Sequence, residues 1–255
     1  MKICRFIGPD SAEHYGLLDG DIIEELEDSP FGSLSTSGRI HKFSHVKILP
    51  PCKPTKIIAV GLNYRDHAEE MKKQIPSEPM LFMKPSTSVI GHEHNIIYPS
   101  HMSSRVDYEG ELAVVIGKSA KSIHPNESAD YILGYTCMND VTARDLQSRD
   151  IQFTRAKGFD TFAPLGPVIE TEIDPSDLQI KTYLNGVLKQ DSRTSNLIFA
   201  VPELVSFVSN VMTLYPGDII STGTPSGVGS MDFGDTVEIT IEGIGTLRNK
   251  VVEQS

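Results

Sequence analysis

The chain has 255 residues, of which 39% are hydrophobic and 22% are charged, and its formal net charge is −11. These proportions are those of a folded globular protein and exclude an intrinsically disordered chain. The acidic balance argues against a nucleic-acid surface and against binding to an anionic membrane.

No apolar run approaches the length of a membrane span, and the start MKICRFIGPD lacks the apolar stretch of a signal peptide. The chain is therefore expected to be cytoplasmic. Three widely spaced cysteines, Cys4, Cys52 and Cys137, fit neither a disulfide framework nor a zinc knuckle. We interpret them as small buried apolar side chains.

In chain order, residues 1–50 predict a small N-terminal β subdomain, and residues 55–255 predict a larger, mostly β domain. The first part holds a short apolar run, a turn-prone Asp-Gly and a polar stretch. The segment LPPCKPT follows, and its three prolines exclude a helix across the boundary.

Helices in the larger part have local signals. Asn63 is placed to cap a helix that runs until Pro76. Thr142 with Asp145 resembles a capping box, which predicts a second helix starting near 142. A third helix has Pro202 at its first position and ends at TLYPGD. Its apolar face is Leu204, Val205, Val208, Val211 and Met212.

Strands dominate the remaining pattern. Asn185-Gly186 between two strand-like arms is a strong hairpin signal. The stretch DTVEITIEG alternates Val237, Ile239 and Ile241 with polar residues, as a half-buried strand does. Strands and helices do not alternate regularly, so a doubly wound parallel sheet is excluded and an α+β, mostly β fold is predicted.

The stretch VDYEGELAVVIG raises an electrostatic problem. On an extended chain, Asp107, Glu109 and Glu111 share one face, and like charges this close repel unless water or a cation compensates them. In a second segment, Asp140 follows a short strand-like run. Carboxylates from two segments, with no Cys or His beside them, suit Mg²⁺ or Mn²⁺ better than zinc. A solvated strand edge is the alternative interpretation.

Histidines offer two further candidates. His67 and Glu70 are neighbours on one helical face, and they form either a general base oriented by a carboxylate or a solvated surface contact. His92 and His94 have a spacing seen in some metal sites, but no third ligand is attached to them. We interpret them, and His101, as polar loop residues.

Arg144 and Gln147 have the same helical spacing as the His-Glu pair. The guanidinium either receives a substrate carboxylate or forms an ion pair with Asp145 or Asp150. The stretch ISTGTPSGVG can offer N–H donors to an anion, but it lacks the Lys-Ser/Thr ending of a phosphate loop. A G-x-S-x-G elbow is absent from the sequence, so nucleophilic serine hydrolysis has no support.

Seven motifs occur in a characteristic order: GLNYRDH, EPMLFMKPSTSVIG, VDYEGELAVVIGK, NDVTARDLQ, AKGFDTFAPLGP, NGVLKQ and DIISTGTPSGVG. The set closely resembles the fumarylacetoacetate hydrolase family, specifically its short members, which include acylpyruvases, oxaloacetate decarboxylases and hydroxymuconate isomerases. The N-terminal part is similar, more loosely, to the small variable domain of many bacterial members. The resemblance implies a three-layered mixed β roll, mostly antiparallel, with short helices, assembled as a homodimer.

The resemblance also implies roles for individual residues. One divalent ion per subunit, Mg²⁺ or Mn²⁺, would be held by Glu109, Glu111 and Asp140. Asp107 falls outside this set and is interpreted as a salt-bridge partner or as a residue behind the ligands. The implied catalytic residues are His67 and Glu70 of a lid and Lys157, and the implied substrate contacts are Tyr64, Lys84, Arg144, Gln147 and Thr224.

The implied substrates are small 2-oxo acids, whose keto oxygen and carboxylate chelate one ion while a Lewis acid stabilises the enolate. The His67–Glu70 pair favours hydrolysis of a C–C bond in acylpyruvate-type acids, with water activated on lid closure. The alternatives within the family are oxaloacetate decarboxylation and isomerisation of 5-carboxymethyl-2-hydroxymuconate or 2-hydroxyhepta-2,4-diene-1,7-dioate. A non-catalytic metal-dependent binding protein is the alternative from another class.

Overall fold

Strands make up most of the regular structure in the computed structural model, which describes residues 1–253. Twenty strands lie in this part of the chain: β1 (Lys2–Ile7), β2 (Glu13–Asp19), β3 (Ile22–Leu26), β4 (Thr36–Lys42), β5 (Lys47–Leu49), β6 (Ile57–Gly61), β7 (Met80–Lys84), β8 (Val89–Ile90), β9 (Asn95–Tyr98), β10 (Val106–Tyr108), β11 (Gly110–Ile116), β12 (Ile132–Asn139), β13 (Thr142–Ala143), β14 (Ala163–Glu170), β15 (Gln179–Leu184), β16 (Val187–Arg193), β17 (Ile219–Ser221), β18 (Gly229–Met231), β19 (Thr236–Ile241) and β20 (Gly245–Glu253).

The helices are few and short. The described residues contain four α-helices: α1 (Arg65–Glu70), α2 (Arg144–Arg149), α3 (Thr154–Lys157) and α4 (Val201–Val211). Segments of 3₁₀ helix lie at Phe43–His45, Ser86–Ser88, Pro125–Tyr131, Pro175–Asp177 and Thr194–Asn196. Among the helices of residues 1–253, none has the length and apolar character needed to span a bilayer.

The described strands form three sheets. The largest has the order β4-β3-β2-β1-β14-β12-β11-β17-β6-β7, with β5 against β1 and β8 against β14. A five-stranded sheet has the order β16-β15-β19-β20-β9, and a small sheet has the order β13-β10-β18. The face of β11 and β12 packs on β15 and β19, and all of β11 is buried. This mostly β architecture with short helices confirms the predicted α+β class.

The N-terminal strands extend the largest sheet. β1 pairs antiparallel with β14, which places Lys2 opposite Glu170. At the predicted boundary, the buried Arg5 donates a hydrogen bond to the carbonyl of Pro50 at 2.9 Å. The first part of the chain therefore shares a sheet with the rest, and the division into two domains stays a prediction.

Several local predictions are confirmed. Asn185 and Gly186 connect β15 to β16, with φ of 52° and 76°, the positive values that a type I′ hairpin turn requires. β19 buries Val237, Ile239 and Ile241 on one face. The three cysteines are buried and free, as predicted.

α4 confirms the predicted third helix, with one correction. Pro202 lies in its first turn, and Leu204, Val205 and Val208 are buried in the main core. Val211 was predicted on the same apolar face but is 56% exposed. It is the last residue of the helix, beyond the turns whose apolar side chains are buried.

The predicted cap of α1 is wrong. Tyr64 occupies the N-cap position without a side-chain cap, and the helix ends well before Pro76. The Asn63 side chain accepts a hydrogen bond from the amide of Phe199 and donates one to the carbonyl of Thr222, both at 2.8 Å. These distant partners satisfy Asn63 better than the end of a short helix does, and they tie α1 to the rest of the fold.

The predicted capping box of α2 is also wrong. Thr142 belongs to β13, its hydroxyl donates to the carbonyl of Asp140 at 2.8 Å, and the helix begins at Arg144. The carboxylate of Asp145 instead accepts a hydrogen bond from the Ser103 hydroxyl at 2.6 Å. Because Thr142 pairs within β13, it does not cap α2, and the helix starts at Arg144 and not at 142.

Candidate active site

Three acids meet where the ends of two central strands lie side by side. Glu109 occupies the break between β10 and β11, and Asp140 directly follows β12. The register places Glu111 opposite Met138, and the amide of Asp140 donates to the carbonyl of Glu109 at 2.9 Å. One oxygen from each of Glu109, Glu111 and Asp140 lies within 4.8 Å of the others. Antiparallel pairing of β11 with β12 thus brings Asp140 beside Glu109 and Glu111.

Buried cations surround two of these acids. The Nζ of Lys157 lies 2.8 Å from Glu109 and 2.5 Å from Asp140, and Arg144 also pairs with Glu109. Lys84 contacts the second oxygen of Asp140 at 2.5 Å. Burial raises the pKa of Glu109, but the charges of Lys157 and Arg144 outweigh it and hold that pKa at about 2. Burial lowers the pKa of Lys157, and the two carboxylates more than reverse this.

Glu111 differs from its neighbours because its hydrogen-bond donors are neutral. Its Oε2 accepts from the Ser221 hydroxyl at 2.5 Å and from the amide of Gly223 at 2.8 Å. Burial, followed by the charges of Asp140 and Glu109, raises the pKa of Glu111 to about 8. The cluster therefore contains a carboxyl group whose ionisation is disfavoured until further positive charge arrives.

This donor set fits a hard divalent cation. Each of the three ligand candidates supplies carboxylate oxygen, which Mg²⁺ and Mn²⁺ prefer, and the unrelieved repulsion at Glu111 is what such a cation would remove. Within residues 1–253, no other group of three His, Cys, Asp or Glu side chains brings its ligand atoms this close. His92 and His94 instead accept hydrogen bonds from the amides of Arg248 and Gly91.

The raised pKa of Glu111 makes metal binding depend on pH. Below about pH 8, a divalent cation must displace the proton of Glu111, so the Mn²⁺ association constant is expected to rise about tenfold per pH unit and to level off above that pH. The folded metal-free protein also holds a proton that the unfolded chain has released. Its stability therefore falls as the pH rises from 4.5 towards about 8.

Calorimetric titration with Mn²⁺ at several pH values, together with melting curves in EDTA, measures both effects. An Mn²⁺ affinity that does not change between about pH 6 and about pH 8 would contradict this assignment to Glu111.

A cavity of about 490 Å³ lies beneath α1, and the three acids are part of its lining. His67 and Glu70 of α1 line it, with Nδ1 of His67 3.0 Å from Oε2 of Glu70. The carboxylate of Glu70 also accepts from the amide of Gly227 at 3.2 Å, and Asp66 accepts from the Ser192 hydroxyl at 2.5 Å. The pair is therefore part of the cavity wall, with its helix attached to the glycine-rich loop and to β16.

Three of the five predicted substrate contacts line the cavity: Arg144, Gln147 and Thr224. The Nη1 of Arg144 donates to Gln147 at 2.6 Å, and its Nε donates to Asp107 at 2.9 Å. Arg144 thus pairs with Asp107 and Glu109, not with Asp145 or Asp150 as the alternative interpretation held.

Asp107 is fully buried and bridges two guanidinium groups. Arg105 contacts it at 2.9 Å from one side and Arg144 at 2.9 Å from the other. Its predicted role as a salt-bridge partner is confirmed.

Tyr64 and Lys84 do not line the cavity. Lys84 is fully buried behind Asp140 and also donates to the carbonyl of Val141 at 3.1 Å. Tyr64 is fully buried, and burial raises its pKa far above the ordinary value. In this structure Lys84 orients a ligand candidate, and a substrate contact of either residue stays a prediction.

Sequence reasoning missed Ser221 as a donor to Glu111, and it treated the NGVLKQ segment only as a turn. Gln190, at the end of that segment, is buried against the cavity wall. No local pattern distinguishes these residues, since Glu111 lies 110 residues from Ser221 and the partners of Gln190 lie 34 or more residues away in sequence.

An acidic triad beside buried lysines, under a short helix that carries a His-Glu pair, is a site of the kind that enzymes use. Residues 56–252 match the fumarylacetoacetate (FAA) hydrolase C-terminal family, and residues 1–51 match the Rv2993c-like N-terminal family. The chain belongs to the fumarylacetoacetate hydrolase family, which confirms the resemblance seen in the sequence.

Similar proteins of this family differ in their named reactions. A structure of 5-carboxymethyl-2-hydroxymuconate delta-isomerase from Mycobacterium smegmatis is 45% identical, with a TM-score of 0.94 and 100% coverage of both chains. Oxaloacetate tautomerase YisK from Bacillus subtilis is 46% identical over 226 residues, covering 83% of this chain and 75% of the relative. Maleylpyruvate hydrolase from Sphingobium sp. SYK-6, solved with manganese(II) and pyruvate, is 29% identical, with a TM-score of 0.83 and 100% coverage of both chains.

Proposed function

We propose that this chain is a divalent-metal-dependent enzyme that transfers a proton at C3 of small 2-oxo acids, and that its leading reaction is keto–enol tautomerisation of an oxaloacetate-type acid. The observation that carries the proposal is the cluster of Glu109, Glu111 and Asp140 at the floor of the cavity. The relatives at 45% and 46% identity are named for isomerisation and tautomerisation, and both reactions need an enolate. These names support proton transfer as the leading reaction, where the sequence alone favoured hydrolysis.

The balance of charges in and behind the cavity supports an enolate as the ligand. Four acids and four cations oppose one another in and behind the cavity: Asp107, Glu109, Glu111 and Asp140 against Arg105, Lys84, Lys157 and Arg144. With all eight ionised these charges cancel, so a bound Mg²⁺ or Mn²⁺ would leave about two positive charges. The deprotonated enol of a monocarboxylic 2-oxo acid carries two negative charges, and the second carboxylate of an oxaloacetate-type acid adds a third. The bound ion would supply a Lewis acid for the keto oxygen and the carboxylate.

His67 is the proton carrier in this proposal. When Nδ1 donates its hydrogen to Glu70, the lone pair of Nε2 is left to accept a proton from C3. Lys157 is fixed by two carboxylates and presents its ammonium charge to the developing oxyanion. The keto–enol exchange then consists of a proton removed from carbon and one returned to oxygen.

The cavity also has cations for a second carboxylate. Lys73 and the half-exposed Arg105 line it, together with the apolar Met80, Phe82 and Phe153. A dicarboxylic 2-oxo acid can therefore place one carboxylate at the triad and the other near Lys73 or Arg105. The aromatic pair Phe82–Phe153, with ring centroids 5.5 Å apart, gives the same cavity an apolar part of its wall.

A single substrate panel tests the reaction class. Metal-free protein restored with Mg²⁺ or Mn²⁺ is assayed for decay of enol-oxaloacetate, pyruvate release from oxaloacetate, cleavage of acylpyruvates and isomerisation of a hydroxymuconate-type dienoate. Metal-dependent enol decay without pyruvate release is the expected result. The absence of any metal-dependent turnover across the panel would overturn the proposal.

The variant His67→Ala tests the proton carrier. Loss of a general base is expected to lower the rate of tautomerisation about 10²- to 10⁴-fold, while Mn²⁺ binding stays unchanged because His67 does not contact the triad acids. The matched control is Glu69→Gln on the exposed face of the same helix, which should keep full activity. Undiminished turnover in His67→Ala would remove His67 from the mechanism.

Hydrolysis of a C–C bond is the second candidate. The contact of His67 with Glu70 at the cavity wall favours it, because the same base can activate a water molecule against the distal carbonyl of an acylpyruvate. Acylpyruvate cleavage that exceeds enol decay in kcat/KM would make hydrolysis the leading reaction. Oxaloacetate decarboxylation needs no water and would appear as metal-dependent pyruvate release.

A homodimer is part of the proposal. β7 is the edge strand of the largest sheet and exposes Met80 and Met83, and Ile151 between α2 and α3 is 94% exposed. Edge strands and large exposed apolar side chains beside a site are typical of covered surfaces. Sedimentation of the intact protein at several concentrations tests the assembly, and a monomer throughout would contradict it.

A further inference from the structure

Gln190 fills a position that no catalytic role explains. It lies on β16, is 1% exposed, and its side chain points to the start of β11 on the neighbouring sheet. Both ends of its amide are engaged: Oε1 accepts from the amide of Gly110 at 3.0 Å, and Nε2 donates to Oγ1 of Thr224 at 2.9 Å and to the carbonyl of Pro225 at 2.9 Å.

These contacts close into a ring. The hydroxyl of Thr224, which accepts from Gln190, donates in turn to the carbonyl of Gly110 at 2.8 Å. Both the N–H and the C=O of Gly110 are therefore held by one side-chain pair. The pairing of β11 with β17 begins only at Ala113, so at Gly110 the Gln190 amide takes the place of a neighbouring strand.

Gly110 lies close against the five-stranded sheet. A Cβ built on it would lie 2.2 Å from Oγ1 of Thr182, so no side chain fits here and the position of the backbone depends on its hydrogen bonds. Glu109 and Glu111 flank Gly110 in sequence, and both carboxylates belong to the acid cluster. The same ring fixes Thr224, which faces the cavity from the glycine-rich loop.

We propose that Gln190 is a positioning residue that sets the distance between the two glutamate ligand candidates and the substrate-facing Thr224. It touches neither the acids nor the cavity and acts only through Gly110, Thr224 and Pro225. The inference rests on the proposed metal-dependent function. Because residues behind metal ligands typically change metal affinity or activity about 10- to 100-fold, the effect is measurable without substrate.

Two variants separate the contact of Gln190 with Gly110 from its contacts with Thr224 and Pro225. Gln190→Leu removes every hydrogen bond and is expected to weaken Mn²⁺ binding about 10- to 100-fold. Gln190→Glu keeps an acceptor for the amide of Gly110 but loses the donor to Thr224 and Pro225. It is therefore expected to weaken Mn²⁺ binding less than Gln190→Leu does, and to raise KM for the 2-oxo acid about tenfold, the effect of losing the hydrogen bond that holds the substrate-facing Thr224.

The experiment measures Mn²⁺ binding by electron paramagnetic resonance on the full-length metal-free protein, and kcat and KM on the Mn²⁺-loaded protein. Gln179→Leu is the matched control, because Gln179 lies on the adjacent β15 and bonds only the exposed Asp191 through its side chain; it should leave all three values unchanged. If Gln190→Leu does not fold, the KM of Gln190→Glu for the 2-oxo acid decides whether the proposed role of Gln190 holds.

Wild-type Mn²⁺ affinity and KM in both variants would overturn the role of Gln190 while leaving the proposed function intact. Failure of the wild-type protein to bind Mn²⁺ would instead overturn the metal site, and this inference with it. A fall in binding that only tracks the fraction of unfolded protein, with KM unchanged, would show a merely structural residue and would also overturn the inference.

Discussion

Replacing Glu109 with Gln is expected to lower metal-dependent turnover of every 2-oxo acid by about 10²- to 10³-fold, the cost of losing a preorganised charge contact in a buried site. The amide keeps the shape of the side chain but removes the negative charge that Arg144 and Lys157 both contact. An amide –NH₂ facing either cation also places donor against donor. The effect should therefore appear in Mn²⁺ affinity as well as in kcat.

The control for this variant is Glu24→Gln, which makes the same chemical change at an exposed position of β3. In steady-state assays and Mn²⁺ titrations, Glu24→Gln should be indistinguishable from the wild-type protein. Circular dichroism should show that both variants are folded. Full turnover and Mn²⁺ affinity in Glu109→Gln would eliminate the triad as the metal site.

The features predicted correctly from the sequence were those decided by near neighbours. The Asn185-Gly186 turn needs positive φ at two adjacent residues, and β19 needs only alternation along one strand. The predicted caps of α1 and α2 failed for the opposite reason. Asn63 had the right chemistry for a cap, but partners 136 and 159 residues away compete for its side chain.

The acid cluster shows how far chain geometry reaches. The spacing of Glu109 and Glu111 followed from strand alternation, and Asp140 followed from its place at a strand end. The cations that balance the charge of these acids could not be predicted from chain geometry. Lys157 lies 48 residues from Glu109, and Lys84 lies 56 residues from Asp140. Only the tertiary fold brings the last residues of α3 and β7, Lys157 and Lys84, to these acids, and family resemblance supplied Lys157 where spacing could not.

The variant Asp218→Asn is expected to lower the free energy of unfolding by about 3 kcal/mol, because it breaks a buried ion pair on one side. Asp218 is fully buried just before β17, and Lys56 forms a salt bridge to its Oδ2. Its two oxygens also accept from the amide and hydroxyl of Thr55 and from the amide of Tyr215. In one orientation, the –NH₂ of an asparagine would face the donors of Lys56 and Tyr215; in the other, it would face the amide of Thr55.

Urea denaturation at a fixed protein concentration measures this loss. The control is Glu93→Gln, which makes the same change in the exposed ion pair with Arg248 and should leave the midpoint nearly unchanged, since water already solvates both charges. Adding Lys56→Met to Asp218→Asn should restore part of the loss, because the amide then faces no unpaired cation. Equal midpoints for Asp218→Asn and Glu93→Gln would mean that the start of β6 is held by its strand pairing with β17 and not by this carboxylate.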